Sequence, residues 1–365
     1  MYCDFLSGPE HLKQIEEYVD MLLVEVKQYH DFIKQYKVRS IFLGGGTPSI
    51  LSPEQISRIM NAIREAAGEN LFPDAEITIE SNPGTLTMDK LNVYQKLGIN
   101  RISMGLQSTH DEELKLLGRM HTYEEFLQGY HMARKAGFQN INVDLMSGLP
   151  GQTLKTFEET LERIIALNPE HISAYSLIIE EGTRFYEMYG TEEGKKQLPD
   201  EETDRLIYHK TKEILKKAGY ERYEISNYAK KGMESRHNLS YWTGIAYLGL
   251  GLGASSYFDN KRYYNEENMK YYLQALHKKE SVLHLEETLT IQDKMEEFMI
   301  LGLRLMCGIE KKEFFHQFSV TIEEAYGEVI KKLTALGMMK EEGGRLFFTE
   351  EGIDVSNEIF TMFLH

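Results

Sequence analysis

Five short runs of apolar, largely β-branched residues limit the fold of this chain more than any other feature. They cover residues 40–43, 76–79, 101–104, 142–146 and 171–175, and amphipathic stretches with helical spacing separate them. One such stretch, residues 53–67, follows Ser52 as a candidate helix cap and begins with Pro53. Repeated strand-then-helix units predict an α/β fold, in which helices cover a sheet of parallel strands. The periodicity leaves open whether the sheet closes into a full barrel.

The alternation continues to about residue 225 and then stops. Helices are predicted over residues 123–136 and 154–167, which end at Gly137 and near Pro169. The acidic, polar stretch at residues 186–205 is interpreted as a linker, followed by a helix that stops at Gly219.

A third pattern begins near residue 285. Helical runs at residues 290–306, 310–317 and 321–336 precede a turn at Gly343-Gly344. Three helices followed by a glycine hairpin are typical of a winged-helix module. The predicted parts are therefore a partial (β/α) barrel over residues 1–225, an extension over residues 226–284, and a small winged-helix-like domain over residues 285–365.

Charge and cysteine content exclude several classes of protein. A formal charge of -16 argues against binding to nucleic acid, and the helix at residues 321–336 is not strongly basic, so we expect the winged-helix-like domain to serve packing or protein contact. No run approaches the ~20 apolar residues that span a bilayer, and no leader-like segment begins the chain, so a cytoplasmic location is expected. Cys3 and Cys307 lie too far apart in sequence for a secreted disulfide framework, and Cys307 is expected to be buried near a helix end.

Glycines follow the first predicted strand directly. Gly44, Gly45 and Gly46 precede Thr47, and three residues without a Cβ let backbone groups approach a ligand closely. A tight turn between strand and helix needs glycines as well, so both readings stay open. The spacing matches neither the Rossmann nor the P-loop motif.

Four polar residues are predicted to share the rim where the parallel strands end. Glu80 follows the second strand, Gln107 and Arg119 follow the third, and Asp144 belongs to the fourth. Chemistry gathers at the carboxyl ends of the strands in such folds. A ligand that carries an amine, a carboxylate and ribose hydroxyls would suit these four side chains.

Several segments, taken in order, carry a family resemblance. They are residues 2–5 (YCDF), 43–49 (LGGGTPS), 79–83 (IESNP), 103–108 (SMGLQS) and 144–152 (DLMSGLPGQ). With them the chain resembles the oxygen-independent coproporphyrinogen III oxidase group of radical S-adenosylmethionine (SAM) proteins over nearly its whole length. Residues 224–229, 235–242 and 247–254 resemble the haem chaperone branch of that group. The oxidases typically carry a further cysteine where this chain has Phe5.

The resemblance implies roles for individual residues. The expected SAM-binding residues are Tyr2, Gly45, Gly46, Thr47, Glu80, Gln107, Arg119, Asp144 and Ile178. His237 lies in the family's His-Asn-x-x-Tyr-Trp motif and is expected to contact haem, although a histidine followed by aromatic residues is often only packed in a loop. Trp242 is expected to be a core anchor.

The resemblance also implies a [4Fe–4S] cluster, whose site is incomplete in this sequence. Radical SAM proteins hold the cluster with three cysteines spaced C-x-x-x-C-x-x-C, which leaves one iron open to SAM. Cys3 corresponds to the last of these, and the other two, together with the first barrel strand, would precede Met1. We favour a native start upstream, because Met1-Tyr2-Cys3 fits the loop in frame; the alternative is a chain that starts here. In either case the polypeptide as given is expected to be deficient in cluster binding.

Three functions remain in competition at this stage. The resemblance favours a haem chaperone that passes haem to an acceptor protein of unknown identity, with SAM and the cluster as further cofactors. The alternative is a coproporphyrinogen III oxidase, a radical SAM enzyme of porphyrin biosynthesis that performs an oxidative decarboxylation. The third is a non-catalytic remnant of the fold that acts through its C-terminal module. Whether the chain is an enzyme stays open, as does a homodimer.

Overall fold

The computed structural model describes residues 12–364. The strands are β1 Val38–Leu43, β2 Leu71–Ser81, β3 Arg101–Gln107, β4 Ile141–Ser147, β5 His171–Ser176, β6 Glu221–Arg222, β7 Asn227–Ala229, β8 Ser255–Phe258, β9 Lys261–Asn265, β10 Leu283–Thr288, β11 Ile309–Glu310, β12 Met339–Glu342 and β13 Arg345–Phe348. The helices are α1 Leu12–Gln28, α2 His30–Ile33, α3 Pro53–Ala67, α4 Met88–Lys96, α5 Asp111–Leu116, α6 Tyr123–Lys135, α7 Leu154–Leu167, α8 Arg184–Tyr189, α9 Glu192–Lys195, α10 Glu201–Lys217, α11 Arg236–Trp242, α12 Met269–His277, α13 Ile291–Gly302, α14 Lys311–Phe318, α15 Ile322–Ala335, α16 Glu350–Asp354 and α17 Ser356–Thr361, with short 3₁₀ turns at Pro48–Ile50 and Gly68–Asn70.

The main sheet confirms the predicted α/β fold. Its seven strands lie in the order β1-β2-β3-β4-β5-β7-β6. Strands β1 to β5 are parallel neighbours in chain order, whereas β7 runs antiparallel to β5 and β6 antiparallel to β7. Within residues 12–364, β1 and β6 are the two edges, so this sheet stays open. All five strands predicted from the sequence are present.

The two faces of the parallel strands have opposite chemistry. One face, here called the apolar face, packs under the helices in the largest core cluster and consists of Ile41, Leu43, Ile77, Ile79, Ile102, Met104, Ile141, Val143, Leu145, Ile172 and Ala174. Because successive side chains of a strand alternate between faces, the intervening residues share the other face. This polar face consists of Ser40, Glu76, Thr78, Glu80, Arg101, Ser103, Asn142, Asp144, His171 and Ser173, with Phe42 as its aromatic member.

Local signals set the ends of the helices that cover the apolar face. Ser52 accepts a hydrogen bond from the Gln55 backbone N–H and the Gln55 side chain accepts one from the Ser52 backbone N–H, so the predicted cap of α3 is a full capping box. Thr122 and Thr153 begin α6 and α7 in the same way. The stretch at residues 186–205 is not a linker, which corrects the sequence interpretation.

That stretch forms α8 in part, then α9 and the start of α10. Phe185 and Tyr189 explain the error, because both are buried in one cluster with Met146 and Leu149. The two buried aromatic rings hold this stretch against the core, although its composition is mostly acidic and polar.

Strands β8, β9 and β10 form a small antiparallel sheet in the order β10-β9-β8, and β10 continues past the predicted boundary at residue 284 to Thr288. Helix α12 lies between β9 and β10 in the chain. The buried carboxylate of Glu25 on α1 joins this part to the N-terminal helix. It accepts hydrogen bonds from the Tyr272 hydroxyl at 2.6 Å, Asn265 Nδ2 at 2.6 Å and the Gly251 N–H at 2.9 Å. Burial raises the pKa of Glu25, and these three donors oppose that shift.

The C-terminal part has the helix and strand order predicted for a winged helix. Strands β11, β13 and β12 form an antiparallel sheet beside α13, α14 and α15, and Gly343-Gly344 makes the hairpin turn. The first helix ends at Gly302 and not at residue 306, because the residues that follow pair with another part of the chain: Leu305 forms a β-bridge with Glu224, and the Met306 N–H donates to the Tyr223 carbonyl. The chain then turns, and Cys307 is exposed, which corrects the expectation that it is buried.

A search of residues 12–364 finds no helix long and apolar enough to cross a membrane.

Candidate ligand site at the carboxyl ends of the strands

The glycine loop after β1 lies against Glu80. A Cβ at Gly44 would overlap the Phe42 ring and lie 3.1 Å from the Glu80 carboxyl carbon, so this position requires glycine. Gly45 has φ +101°, in the region that favours glycine, and its N–H donates to Glu80. No atom lies within 4 Å of a Cβ built at Gly46. Crowding therefore explains Gly44, backbone conformation explains Gly45, and Gly46 leaves open space beside the loop.

Glu80 is a half-buried carboxylate with an altered acidity. Desolvation, followed by the negative charge of Asp144, raises the pKa of Glu80 to about 7. The hydrogen bond from the Gly45 N–H and the positive charge of Arg101 act in the opposite direction. A carboxyl group whose pKa is near 7 is partly ionised at neutral pH, and its ionised form can accept a hydrogen bond from an ammonium group. The sequence predicts a ligand with an amine at this rim.

A hydrogen-bonded chain joins three of the strand ends. Arg119 Nη1 donates to Asn82 Oδ1 at 3.0 Å, and Asn82 Nδ2 donates to Thr47 Oγ1 at 2.8 Å. Gln107 accepts from the Tyr175 hydroxyl at 2.9 Å through Oε1. The structure thus brings Thr47 and Arg119 together through Asn82, which is not among the site residues predicted from the sequence.

Gln107 also has an unusual backbone. Its φ is +76°, and the pairing register between β3 and β4 shifts between Gly105 and Gln107. Such a bulge re-aims a side chain at the end of a strand. A Cβ at Gly105 would lie 3.3 Å from Gln107 Nε2 and 3.4 Å from Asn82 Oδ1, so the glycine makes room for both amides.

Asp144 is held by hydrogen bonds on the polar face. Ser103 Oγ donates to one carboxylate oxygen at 3.2 Å and Asn142 Nδ2 to the other at 2.7 Å. Burial raises the pKa of Asp144, and the donors Asn142, Ser173 and Ser103 oppose the rise. The carboxylate is fixed in position near the carboxyl end of β4, where Asp144 pairs with Gly105 of β3.

The network below Asp144 extends into the sheet. Asn142 Oδ1 accepts a hydrogen bond from His171 Nδ1 at 2.6 Å, and His171 Nε2 lies 2.9 Å from the Tyr223 hydroxyl. His171 is fully buried, and burial followed by the charge of Arg101 keeps its pKa well below the ordinary value. The sequence analysis missed Asn142, His171 and Tyr223. For Asn142 and His171 the available signal was a polar residue at alternate positions of a predicted strand, whereas Tyr223 lies outside the predicted strands.

Ile178 lies beyond the end of β5 with 70% of its surface exposed. Its side chain forms no hydrogen bonds, so Ile178 could contact a ligand only through its apolar surface. Tyr2 and Cys3, together with Asp4 and Phe5, lie outside the described residues.

His237 is placed against β1, on the polar face. Its Nδ1 lies 3.0 Å from Ser40 Oγ, its Nε2 lies 3.1 Å from the Tyr241 hydroxyl, and its ring stacks on Phe42 with centroids 4.8 Å apart. Burial, with the charge of Arg101, lowers the pKa of His237 against the opposing effect of Glu76. This shift favours the neutral form of the imidazole.

Glu76 fixes the helix that carries His237. It accepts hydrogen bonds from Ser235 Oγ at 3.1 Å, the Arg236 N–H at 3.0 Å and the His237 N–H at 3.0 Å. A carboxylate at a helix N-terminus satisfies donors that have no partner within the helix. This contact attaches α11 to β2 and explains how a residue far along the chain reaches the sheet.

Trp242, at the other end of α11, is not a core anchor. It is half-buried, and the Arg304 guanidinium lies 4.7 Å from the centre of its ring. Helix α11 ends beside the C-terminal part, and Trp242 there stacks on the Arg304 guanidinium. None of the apolar clusters among the described residues includes Trp242.

The residues described here do not by themselves fit an iron–sulfur cluster. Residues 12–364 contain no group of three or more His, Cys, Asp or Glu side chains arranged to hold a metal ion. Their single cysteine, Cys307, belongs to the C-terminal part and not to the rim. The crowded glycine loop and the fixed carboxylates, in contrast, do suit a polar ligand such as SAM.

Two models of known protein families match separate parts of the chain. Residues 1–164 match the Radical SAM superfamily, and residues 289–355 match the HemN C-terminal domain. Among solved structures, the coproporphyrinogen III oxidase HemN of Escherichia coli, a radical SAM enzyme, superposes with a TM-score of 0.84 at 24% identity, over 99% of this chain and 86% of that chain. That likeness establishes the fold.

Curated relatives establish the family. The heme chaperone HemW of Bacillus subtilis (strain 168) is 35% identical over 100% of this chain and 95% of its own length. HemW of Escherichia coli (strain K12) is 34% identical, with 100% and 94% covered. The mitochondrial radical S-adenosyl methionine domain-containing protein 1 of Bos taurus is 32% identical, with 90% and 76% covered. The chain belongs to the HemW family within the radical SAM superfamily.

Proposed function

We propose that this protein is a haem chaperone, which binds haem and transfers it to an acceptor protein. The observation that carries the proposal is the placement of His237 on the polar face, where its Nε2 meets only the hydroxyl of Tyr241 among the described residues. The relatives named as heme chaperones support the same function.

His237 has the features of a haem ligand. In the tautomer with the proton on Nδ1, that nitrogen donates to Ser40 Oγ, and Nε2 keeps a lone pair that accepts from the Tyr241 hydroxyl. Metal-binding histidines usually have such a partner on the second nitrogen, which fixes the ring. Tyr241 is partly exposed and one helical turn away, so its hydroxyl can move to water when Nε2 binds iron.

The rim is proposed to bind SAM. Gly45, Gly46 and Thr47 line its loop, Glu80 would accept from the amine, and Gln107, Arg119 and Asp144 would hold the remaining polar groups, with Ile178 as an apolar contact. When bound with SAM, a [4Fe–4S] cluster supplies one-electron chemistry. Tyr2 and Cys3 stay predictions for that part of the site, and no step of the function is derived through the cluster.

The parts of the chain are proposed to divide this work. The partial barrel over residues 1–225 would carry the SAM rim, residues 226–284 would present His237 on α11, and residues 285–365 would offer a surface to the haem acceptor. The stacking of Arg304 on Trp242 supports a physical connection between the last two parts.

Haem binding and transfer can be measured directly. The full chain is titrated with haem and then mixed with apomyoglobin, which develops its own Soret band when it receives haem. We expect about one haem per chain and transfer to apomyoglobin. In parallel, the anaerobic chain receives SAM, a reductant and coproporphyrinogen III, and we expect no protoporphyrinogen. Product formation without haem binding would replace the chaperone by the oxidase.

A further inference from the structure

A buried arginine on the polar face is not satisfied by the residues around it. Arg101 begins β3 with only 2% of its surface exposed, and its Nε has no hydrogen-bond partner among residues 12–364. Guanidinium N–H groups buried without an acceptor are costly, because folding has removed the water that would otherwise bind them. The contacts described so far give no reason for a cation at this position.

A second unsatisfied donor lies beside the first. Thr78 is fully buried, and its hydroxyl has no hydrogen-bond partner within the described part of the chain. Thr78 and Arg101 are direct partners in the register of β2 and β3, so both side chains leave the sheet on the polar face at the same level. The hydroxyl and the guanidinium therefore form one cluster of donors.

Nearby carboxylates do not complete this cluster. The positive charge of Arg101 lowers the pKa of both Glu80 and Asp144, which places it close to them. Glu80, however, accepts from the Gly45 N–H, and Asp144 accepts from Ser103 and Asn142. The two acids are directed towards other donors nearer the rim: Glu80 lies two residues beyond Thr78 on β2, and Asp144 pairs with Gly105, four residues beyond Arg101 on β3.

The cluster lies between the two ligand regions proposed above. The charge of Arg101 also acts on His171 and on His237, and Phe42, the register partner of Thr78 on β1, stacks on the His237 ring. A group bound here would lie within the polar face, reached from the rim on one side and from His237 on the other.

We propose that Arg101 and Thr78 form a binding subsite for a carboxylate group of a ligand that enters the polar face. A carboxylate offers two oxygens to the planar fork of a guanidinium and a further lone pair to a hydroxyl, which matches the two kinds of donor present, the guanidinium of Arg101 and the hydroxyl of Thr78. The two ligands with such a group are haem, through a propionate, and SAM, through its methionine carboxylate. The subsite rests on the proposed function for the identity of these ligands.

The test compares each ligand with a form that lacks the carboxylate. The full chain is titrated with haem and with haem dimethyl ester, and with SAM and decarboxylated SAM. The variants are Arg101→Gln and Thr78→Val, with Arg64→Gln as the control, since Arg64 is an exposed arginine on α3 that donates to the Leu97 carbonyl. Circular dichroism checks that each variant is folded.

We expect the wild type to bind the acid form of one pair about tenfold or more tightly than its carboxylate-free form, the usual strength of hydrogen bonds to charged groups. Arg101→Gln should reduce that ratio to about twofold or less, and Thr78→Val should reduce it in part. Arg64→Gln should keep the wild-type ratio. The pair that changes identifies the ligand whose carboxylate occupies the subsite.

Three results would overturn the subsite, two with the variants and one with the wild type. One is a folded Arg101→Gln that keeps both ratios, which would mean that ordered water satisfies the cluster. The other applies if Arg101→Gln does not fold: Thr78→Val exchanges an unpaired hydroxyl for a methyl group of similar size, and unchanged ratios in that variant would exclude the subsite. A wild type that fails to bind haem removes the chaperone proposal, while the SAM pair still decides the subsite. A wild type that binds neither ligand overturns both.

Discussion

The apolar and polar faces of the same five strands show two different uses of one sheet. On the apolar face, Ile102 and its neighbours are fully buried against helices and form the largest core cluster. On the polar face, Ser103, one residue further along β3, is hydrogen-bonded to Asp144 and Asn142. Barrels of this general type usually fill their interior with branched apolar side chains. Here stability resides on one face, and the other face is left for ligands.

The largest expected effect comes from the apolar face. Ile102→Ala removes a fully buried side chain and should lower the free energy of unfolding by about 3 kcal/mol through lost burial and the cavity left behind. Urea denaturation followed by circular dichroism measures it. Ile102→Val serves as the graded control, with an expected loss of about 1 kcal/mol. A loss below 1 kcal/mol for the alanine variant would break the assignment of stability to this face.

On the polar face, His171 should matter through hydrogen bonds and not through apolar burial. His171→Ala leaves Asn142 Oδ1 and the Tyr223 hydroxyl without their partner, for an expected loss of about 2 kcal/mol in the free energy of unfolding. The same denaturation experiment applies. His131→Ala, an exposed histidine on α6, should change stability by less than about 0.5 kcal/mol. Equal effects of the two variants would contradict the network.

Glu80 should make stability depend on pH. Its pKa is raised from 4.5 to about 7 in the folded state, so its contribution to stability is fully present below pH 4.5 and is lost as pH rises through 7. Between pH 5 and 8 the wild type should lose about 1–2 kcal/mol relative to Glu80→Gln, a value discounted for the partial exposure of the group. Thermal unfolding across this range measures the difference.

The control for that profile is Glu65→Gln, because Glu65 is an exposed carboxylate on α3. It should follow the wild type at every pH. Parallel curves for wild type and Glu80→Gln would mean that Glu80 is an ordinary surface acid, and the electrostatic difference between the two faces would be weaker than described.

The smallest expected effect concerns the cap of α3, one of the helices that cover the apolar face. Ser52→Ala removes the side-chain half of the α3 capping box and should cost about 1 kcal/mol of unfolding free energy. Ser52→Asn, another good cap residue, should restore most of the loss. Because α3 covers the apolar face, haem affinity should stay at its wild-type value in both variants. A change in that affinity would mean that the two faces are not independent.

Much of the fold could be predicted because its signals are local. The five strands, the cap at Ser52 and the glycine hairpin at residues 343–344 each depend on a few consecutive residues. The acidic stretch at residues 186–205 was misread because Phe185 and Tyr189 meet partners that lie some 40 residues earlier in the chain. Cys307 was misplaced because Leu305 and Met306 pair with Glu224 and Tyr223, some 80 residues earlier in the chain, and this pairing ends the helix early.

The candidate site was predictable only in part, for a related reason. Glu80 and Asp144 stand at strand ends, where topology alone brings side chains together. Arg101 and His171 stand at the opposite ends of their strands, where a sequence reading expects no chemistry. Arg101 and His171 matter because they lie on a face of the sheet that is polar in all five strands. That face follows from the register of the five strands and not from any short motif.

Haem titration of His237→Ala is the most direct test of the account, because it asks whether the polar face binds haem through the residue that carries the proposal. The wild type, His237→Ala and the control His131→Ala are titrated while the Soret band is followed, and thermal unfolding is measured on the same samples. We predict a shifted Soret maximum and an affinity at least about tenfold weaker for His237→Ala alone, with the variant still folded. Identical spectra and affinities for all three proteins would contradict the account.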